Sequence, residues 1–309
     1  MQKLLIKGNK ELIGKILIAG SKNATLPILA ATIFSNYVKL KNIPLVKDIF
    51  TMLELLKFIG ISIKIKKQNN TVEIKNTNKN IKTLAPYKLV KTMRAGVLVL
   101  GPLLAKYKKA KISLPGGCAI GTRPVNLHLF ALKKLGAKIK IKNGYIIANT
   151  EHGLKGTNIT FPTISVGATE NAILAAFYAD GKTIIRNCAI EPEVKDLIRF
   201  LNKLGGKIKL TGRKIIIRGG QQIKKEIIHE IIFDRIELGT YMIAAALIGK
   251  KIIIQKIDPA IVKKEIEILK KMGVKLQIKK NSIEILKSIY IKKINVSTSP
   301  YPGFPTDLQ

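Results

Sequence analysis

Four times along this chain a helical pattern halts at a glycine, and an alternating strand, a turn and a second strand follow. The copies cover residues 53–74 around Gly60, 127–148 around Gly136, 197–217 around Gly205 and 266–286 around Gly273. Successive glycines stand 76, 69 and 68 residues apart. A glycine just past a helix is the expected C-cap, because it enters the left-handed region without steric cost. A helix of small and apolar residues leading into a strand precedes each copy, at 24–34, 94–105, 170–178 and 237–248. Ala30-Ala31, Ala175-Ala176 and Ala244-Ala245-Ala246 are the parts that recur. Small side chains let helices approach closely, and a helix apolar on most faces belongs in a core. Each unit therefore reads buried helix, strand, outer helix, strand, strand. A period this long means repeated subdomains, not a thin solenoid.

Residues 113–128 hold the densest chemistry. An apolar strand ends at Leu114, and Pro115, Gly116 and Gly117 force a tight loop that carries Cys118. Gly121 allows a second bend, Arg123 follows, and Pro124 has the φ suited to the start of a helix continued by Val125, Leu129 and Leu132. A helix N-terminus attracts anions, and its field lowers a thiol pKa from about 8.5. By spacing alone the stretch reads equally as a glycine turn with a spare cysteine.

Composition narrows the partners. A net charge of +36 would normally point to nucleic acid or an anionic membrane. Here the lysines are spread along alternating stretches such as 138–142, where one face is apolar and the other solvated. No stacking or zinc-finger motif accompanies them, so no specific nucleic acid partner is expected. Two cysteines, Cys118 and Cys188, have no metal-like spacing and suit a reducing compartment. Lys7, Lys10, Glu11 and Lys15 break the first twenty residues, which do not read as a secretory leader. The longest apolar run, 95–105, is too short to span a bilayer. A cytoplasmic protein without a membrane partner is expected. At 309 residues the chain has room for about two domains.

The run Leu-Pro-Gly-Gly-Cys-Ala-Ile-Gly-Thr-Arg-Pro-Val at 114–125 resembles the catalytic loop of the enolpyruvyl transferases that act on UDP-N-acetylglucosamine. The resemblance extends along the whole chain, and the related shikimate-pathway transferases lack this Gly-Gly-Cys loop. It implies a two-domain α/β (α+β) fold, an inside-out α/β barrel of repeated subdomains. The family has six units, three per domain, with the N-terminal strand belonging to the second domain. Carried over, residues 22–229 form a complete first domain. Residues 1–21 plus 230–309 form a second domain, expected to be incomplete, with one unit and the segment around Asp307.

Separate motifs carry the site. Lys22 and Asn23 precede an apolar helix with Pro27 in its first turn. A lysine there is unfavourable to the dipole unless an anion binds, and a solvated lysine beside an Asn cap is the plain alternative. The resemblance implies that both contact phosphoenolpyruvate. Arg94 opens another apolar helix, again at the wrong end for a cation, and its family counterpart contacts the UDP-sugar. Acidic residues number 19 against 55 basic ones, so carboxylate partners for Arg94 are scarce. Arg123 implies a phosphate contact to phosphoenolpyruvate and the UDP-sugar, and Pro124, Val125, Asn126 and Leu127 a uridine contact. Asn126 stands where the family has an acid and still donates and accepts to a base edge. His128 reads as a core or surface histidine with a secondary role.

Thr163, Ser165, Val166 and Gly167 lie on a loop entering a helix and imply a diphosphate contact, with Thr163 where the family often has lysine. Thr169, with Ser165 and Gly167, can present a hydroxyl or N–H group to that diphosphate, and reads alternatively as the helix's N-cap. Asp234 and Arg235 read as partly structural residues at a domain junction. Residues 299–307 read by themselves as a rigid linker. Their Pro-Gly-Phe-Pro-Thr-Asp resembles the motif whose aspartate approaches the sugar 3-hydroxyl.

The resemblance implies addition and elimination between UDP-N-acetylglucosamine and phosphoenolpyruvate. Asp307 acts as base, Cys118 as proton donor or covalent nucleophile, and Lys22 and Arg123 stabilise charge. No cofactor, no metal and a monomer are expected. The alternatives are a truncated remnant that binds the UDP-sugar without turnover, and a nucleic-acid binder.

Overall fold

The computed structural model describes all residues except 1, 2, 4, 6, 9, 10, 79, 92, 115–124 and 225. Two compact units are present: Gly20–Ile232, and Met1–Ala19 with Phe233–Gln309.

The larger unit repeats one motif three times. In the first, α1 (Lys22–Ala31) leads to β2 (Tyr37–Lys41), α2 (Lys47–Ile59), β3 (Ser62–Lys66) and β4 (Thr71–Lys75); β1 (Leu12–Leu17) lies in the smaller unit. The second begins with β5 (Leu84–Ala85), α3 (Tyr87–Val90) and a 3-10 turn, Arg94–Val99. It continues with α4 (Leu100–Tyr107), β6 (Lys109–Ser113), α5 (Asn126–Lys134), β7 (Lys138–Lys142) and β8 (Tyr145–Asn149). The third adds β9 (Asn158–Thr160), α6 (Val166–Tyr178), β10 (Lys182–Arg186), α7 (Pro192–Lys203), β11 (Lys207–Thr211) and β12 (Lys214–Arg218), and β13 (Glu226–Glu230) follows. The smaller unit holds one motif: α8 (Arg235–Ile248), β14 (Gly249–Gln255), α9 (Lys263–Lys271), β15 (Leu276–Lys279) and β16 (Ser282–Leu286).

Each motif makes a four-stranded sheet of one order. The motif's first strand pairs antiparallel with its third, which pairs antiparallel with its second, as in β2-β4-β3. A fourth strand, additional to the helix–strand–helix–strand–strand core that recurs, completes each sheet in parallel: β13 on β2, β5 on β6, β9 on β10 and β1 on β14. The four glycines adopt the left-handed conformation that ends each outer helix, with φ of 114° at Gly60, 97° at Gly136, 109° at Gly205 and 89° at Gly273.

Burial separates the inner helices. In α1 every residue from Ala24 to Ala31 is buried, and in α6 every residue from Ala168 to Phe177. These helices pack on one another, α6 also on α4 and α1 on the 3-10 turn ahead of α4, and the core of the larger unit forms between them and the sheets. Composition predicts the same burial for α8, yet only Leu238, Gly239, Met242, Ala245 and Ala246 are buried there. Within its own unit α8 meets β14, β16, α9 and two short 3-10 turns, and no second inner helix.

The larger unit also buries ionic groups. Asp196 on α7 accepts from Nε2 of His229 (3.0 Å) and from the backbone N–H of Ile232 (3.0 Å), tying the outer helix to β13. A buried carboxylate needs such partners. Lys106 donates to the carbonyl of Ile33 at 2.7 Å, and its partial burial pushes its pKa down.

Candidate active site

Helix starts carry the electrostatics of the site. Outer helices α2, α7 and α9, and inner helix α8, hold an acid in the first turn: Asp48, Glu193, Glu265 and Glu237. Helices α1, α5 and α6, where ligand contacts are expected, hold none. Helices α3 and α4 hold none either, so the absence of an acid permits a bound anion at α1, α5 and α6 without singling them out.

Lys22 is the first residue of α1, with Asn23 exposed beside it. The cap is Ser21, whose Oγ accepts from the N–H of Ala24 at 3.2 Å, and not Asn23. Pro27 lies in the second turn, not the first, so the N–H that would close on the carbonyl of Asn23 is missing. Lys22 has a carboxylate partner, Asp48 of α2, at 3.2 Å, where the plain reading was a solvated lysine. Both groups are part-exposed, so the pair is weak and leaves Lys22 open to exchange for an incoming anion.

Arg94 is exposed and opens the 3-10 turn ahead of α4, not an α-helix. Val125 is buried as the cap residue of α5, Asn126 is exposed and Leu127 half-buried. Thr163 is exposed, and Ser165, Val166 and Gly167 are half-buried at the start of α6. Ser165 is the cap, its Oγ accepting from the N–H of Ala168 at 3.4 Å. Thr169 is not the cap and offers no hydroxyl to a ligand. It is fully buried, and its Oγ1 accepts from the N–H of Ala189 at 3.1 Å.

Three of these stretches meet at one side chain that the sequence reading did not single out. Oδ1 of Asn171, on α6, accepts from the N–H of Gly101 at 2.9 Å. Its Nδ2 donates to the carbonyl of Val97 at 3.2 Å and lies 3.1 Å from Nδ1 of His128. The 3-10 turn bearing Arg94, the first turn of α5 and the start of α6 are thereby tied together. Burial, with the charge of Arg94 adding to it, pushes the His128 imidazole down to about 4. His128 is therefore a neutral, buried histidine at physiological pH. The signal in the sequence was a pair of polar residues, Glu170-Asn171, inside an otherwise apolar helix.

Glu170 is the other buried polar group. Burial raises its pKa well above the usual carboxylate range, and the nearby Glu193 and Glu191 raise it further. Burial thus favours its neutral form in the folded chain. Cys188 is a buried free thiol pushed up to about 11 by burial, which makes it unreactive.

Cys118, Arg123 and Pro124 lie outside the described residues. In the smaller unit, Asp234 caps α8 by accepting from the N–H groups of Ile236 (2.9 Å) and Glu237 (3.1 Å), and Glu237 accepts from Ala19 at 2.9 Å. Residues 299–307 are packed instead of forming a free linker: Ser299 donates to the carbonyl of Phe304 at 3.1 Å, and Phe304 and Leu308 are buried. Leu308 packs close against Gly239 of α8, where a Cβ would push the Leu308 methyls aside. Asp307 is thus exposed on a short 3-10 turn, Thr306–Leu308, whose neighbours are fixed. Among the described residues no group of three or more His, Cys, Asp or Glu is placed to hold a metal. Among them, too, no helix is long and apolar enough to cross a membrane.

The family described as EPSP synthase (3-phosphoshikimate 1-carboxyvinyltransferase) matches residues 6–309. The chain belongs to the enolpyruvyl transferase family. Among its relatives, the UDP-N-acetylglucosamine 1-carboxyvinyltransferase of Pelagibacter ubique (strain HTCC1062) is 58% identical over all of this chain and 74% of its own length. Proteins of the same name from Endomicrobium trichonymphae and Rickettsia bellii (strain OSU 85-389) are 47% and 46% identical, again over the whole chain. The chain spans about three quarters of the length of these relatives. In fold it is similar to the enolpyruvyl transferase NikO from Streptomyces tendae (TM-score 0.84, 19% identity, 97% of this chain and 72% of that one). It is also similar to EPSP synthase from Acinetobacter baumannii (TM-score 0.71, 21% identity, 93% of this chain and 67% of that one). The repeated four-stranded motifs are thus the architecture of this transferase family.

Proposed function

We propose that this chain transfers the enolpyruvyl group of phosphoenolpyruvate to the 3-hydroxyl of UDP-N-acetylglucosamine and releases phosphate, the first committed step of peptidoglycan synthesis, in the cytoplasm. The observation that carries the reading is 58% identity along the whole chain to a transferase of that name, against 21% to an EPSP synthase structure. In this reading Asp307 removes the hydroxyl proton as the oxygen attacks C2 of phosphoenolpyruvate, and the methylene carbon takes a proton. The methyl group so formed then gives a proton back as phosphate leaves, which restores the C=CH2 bond and yields the enolpyruvyl ether. Cys118 supplies the proton or forms a covalent adduct with phosphoenolpyruvate, and alkylation of that thiol by fosfomycin would block the reaction. Lys22, Asn23 and Arg123 hold phosphate and carboxylate. Arg94, Pro124, Val125, Asn126, Leu127, Thr163, Ser165, Val166 and Gly167 hold the UDP-sugar. The starts of α1, α5 and α6 carry no acid in their first turns, which is compatible with an anionic substrate there.

Phosphate release from phosphoenolpyruvate tests the assignment. It should depend on UDP-N-acetylglucosamine and not on shikimate 3-phosphate. Release with shikimate 3-phosphate alone would move the chain to the other branch of the family.

A further inference from the structure

A change of helical pitch explains why Asn171 is where it is. The 3-10 turn Arg94–Val99 passes directly into α4, and at such a junction backbone groups lose their regular partners. The single amide of Asn171 serves both sides of the break, accepting from Gly101 and donating to Val97. Gly101 must be glycine, because a Cβ there would collide with Oδ1 of Asn171.

This fixes the amide's orientation without reference to any proton position. Gly101 offers only a donor, so Oδ1 must face it, and Val97 offers only an acceptor, so Nδ2 must face it. The second Nδ2 hydrogen then points at Nδ1 of His128, 3.1 Å away. Nδ1 must be the acceptor, so the ring proton of the neutral imidazole sits on Nε2. That nitrogen lies 3.4 Å from the point where a Cβ on Gly167 would stand, in the first turn of α6. Glycine leaves that point open.

We propose that Asn171 is a positioning residue for the nucleotide half of the substrate: it locks His128 as the Nε2–H tautomer and so holds a neutral donor beside the start of α6 for an oxygen of the diphosphate. The inference rests on the proposed function, since it presumes a nucleoside diphosphate at α6. A neutral donor complements the α6 N–H groups without adding a charge to the core.

Two mimics of the imidazole separate this role from simple packing. Asparagine reproduces the Nδ1 edge that satisfies Asn171, and glutamine reproduces the Nε2 edge that faces the ligand. A packing role makes His128→Asn the benign change. The proposal predicts the reverse by calorimetry: His128→Asn weakens UDP binding about tenfold, His128→Gln retains most of it, and uridine binding changes in neither. In nitrogen NMR of the three histidines, wild-type His128 should show Nε2 protonated and Nδ1 bare across pH 6–8. Asn171→Asp, which cannot donate, should move the proton to Nδ1. Undiminished UDP binding by His128→Asn, equal loss for uridine, or an Nδ1-protonated wild-type ring overturns the inference alone. A wild-type chain that binds neither UDP nor UDP-N-acetylglucosamine overturns the proposed function, and the inference falls with it.

Discussion

Helices α6 and α8 occupy the same place in their motifs and share an alanine-rich apolar character, yet their surroundings differ. Ten residues of α6 are buried and five of α8. Phe177, the penultimate residue of α6, is 2% exposed, whereas Leu247, the penultimate residue of α8, is 68% exposed. In the larger unit α6 is covered by α4, α5, α7 and α1, so a helix apolar all round has partners on several sides. In the smaller unit α8 has a sheet and α9, and its remaining faces keep Tyr241, Leu247 and Ile248 exposed. An apolar helix thus specifies that it can be buried. Whether it is buried depends on how many like helices its own unit supplies.

The largest expected effect breaks the comparison at those matched positions. Phe177 packs against Phe34 with ring centroids 5.1 Å apart. Phe177→Ala should cost about 3–5 kcal/mol, from lost burial and a cavity. Leu247→Ala should stay within about 0.5 kcal/mol. Chemical denaturation of both variants checks this, and equal losses would mean that α8 is covered in solution.

A second contrast is acid sensitivity. His128 titrates at about 4 in the folded chain because burial, and then the charge of Arg94, disfavour the imidazolium. The unfolded value is about 6.5. Between the two the unfolded chain binds more protons, so this contribution is complete above pH 6.5 and is lost as pH falls towards 4. About 3 kcal/mol is at stake over that window. The difference in stability between wild type and His128→Gln should shrink as pH falls through it. A gap that does not change with pH would place the ring in water.

Much of the fold was legible because the repeat is written in local rules. Gly60, Gly136, Gly205 and Gly273 stop outer helices through a backbone angle that other residues avoid, and that rule needs no tertiary context. The resemblance implied β1 as the fourth strand of the smaller unit's sheet, but the fourth strands of the other three sheets were not legible. β5 has two residues and β9 three, too short for alternation to show, and β13 joins β2 from the far end of its unit. Caps were misplaced for a related reason. Ser21 and Ser165 win over Asn23 and Thr169 by backbone geometry, which several nearby polar residues leave undecided. At the site the motif residues were visible as motifs, whereas Asn171 acts through Gly101 and Val97, some seventy positions away.

Glu170 gives a smaller effect of opposite sign. Its carboxyl is raised by burial and by Glu193 and Glu191, so the folded chain holds the proton that the unfolded chain releases. Stability is therefore lost as pH rises above the usual carboxylate value. Glu170→Gln keeps the shape and removes the titration. Its melting temperature should match wild type near pH 4 and exceed it by about 3 °C at pH 7.5. A lower melting temperature at pH 7.5 would mean that the ionised form has a partner in the larger unit.

The smallest expected change in stability tests the open face of α8 directly. Ile243, Ala246, Leu247, Ile268, Met272 and Phe304 line an apolar hollow of about 240 Å³ in the smaller unit. Leu247 stands at its rim and is mostly in water, so removing its methyls withdraws little from the core. A lysine there keeps an apolar stem along the rim and places its ammonium in solvent. Leu247→Lys should therefore shift stability by less than about 0.5 kcal/mol. It should lower the fluorescence of a hydrophobic dye bound to the chain, because the exposed patch is divided by a charge. The matching change in α6, Phe177→Lys, should abolish folding, since that position is closed by Phe34 and neighbouring helices. If Leu247→Lys unfolds the chain as well, α8 is enclosed in solution, and the two helices are equivalent after all.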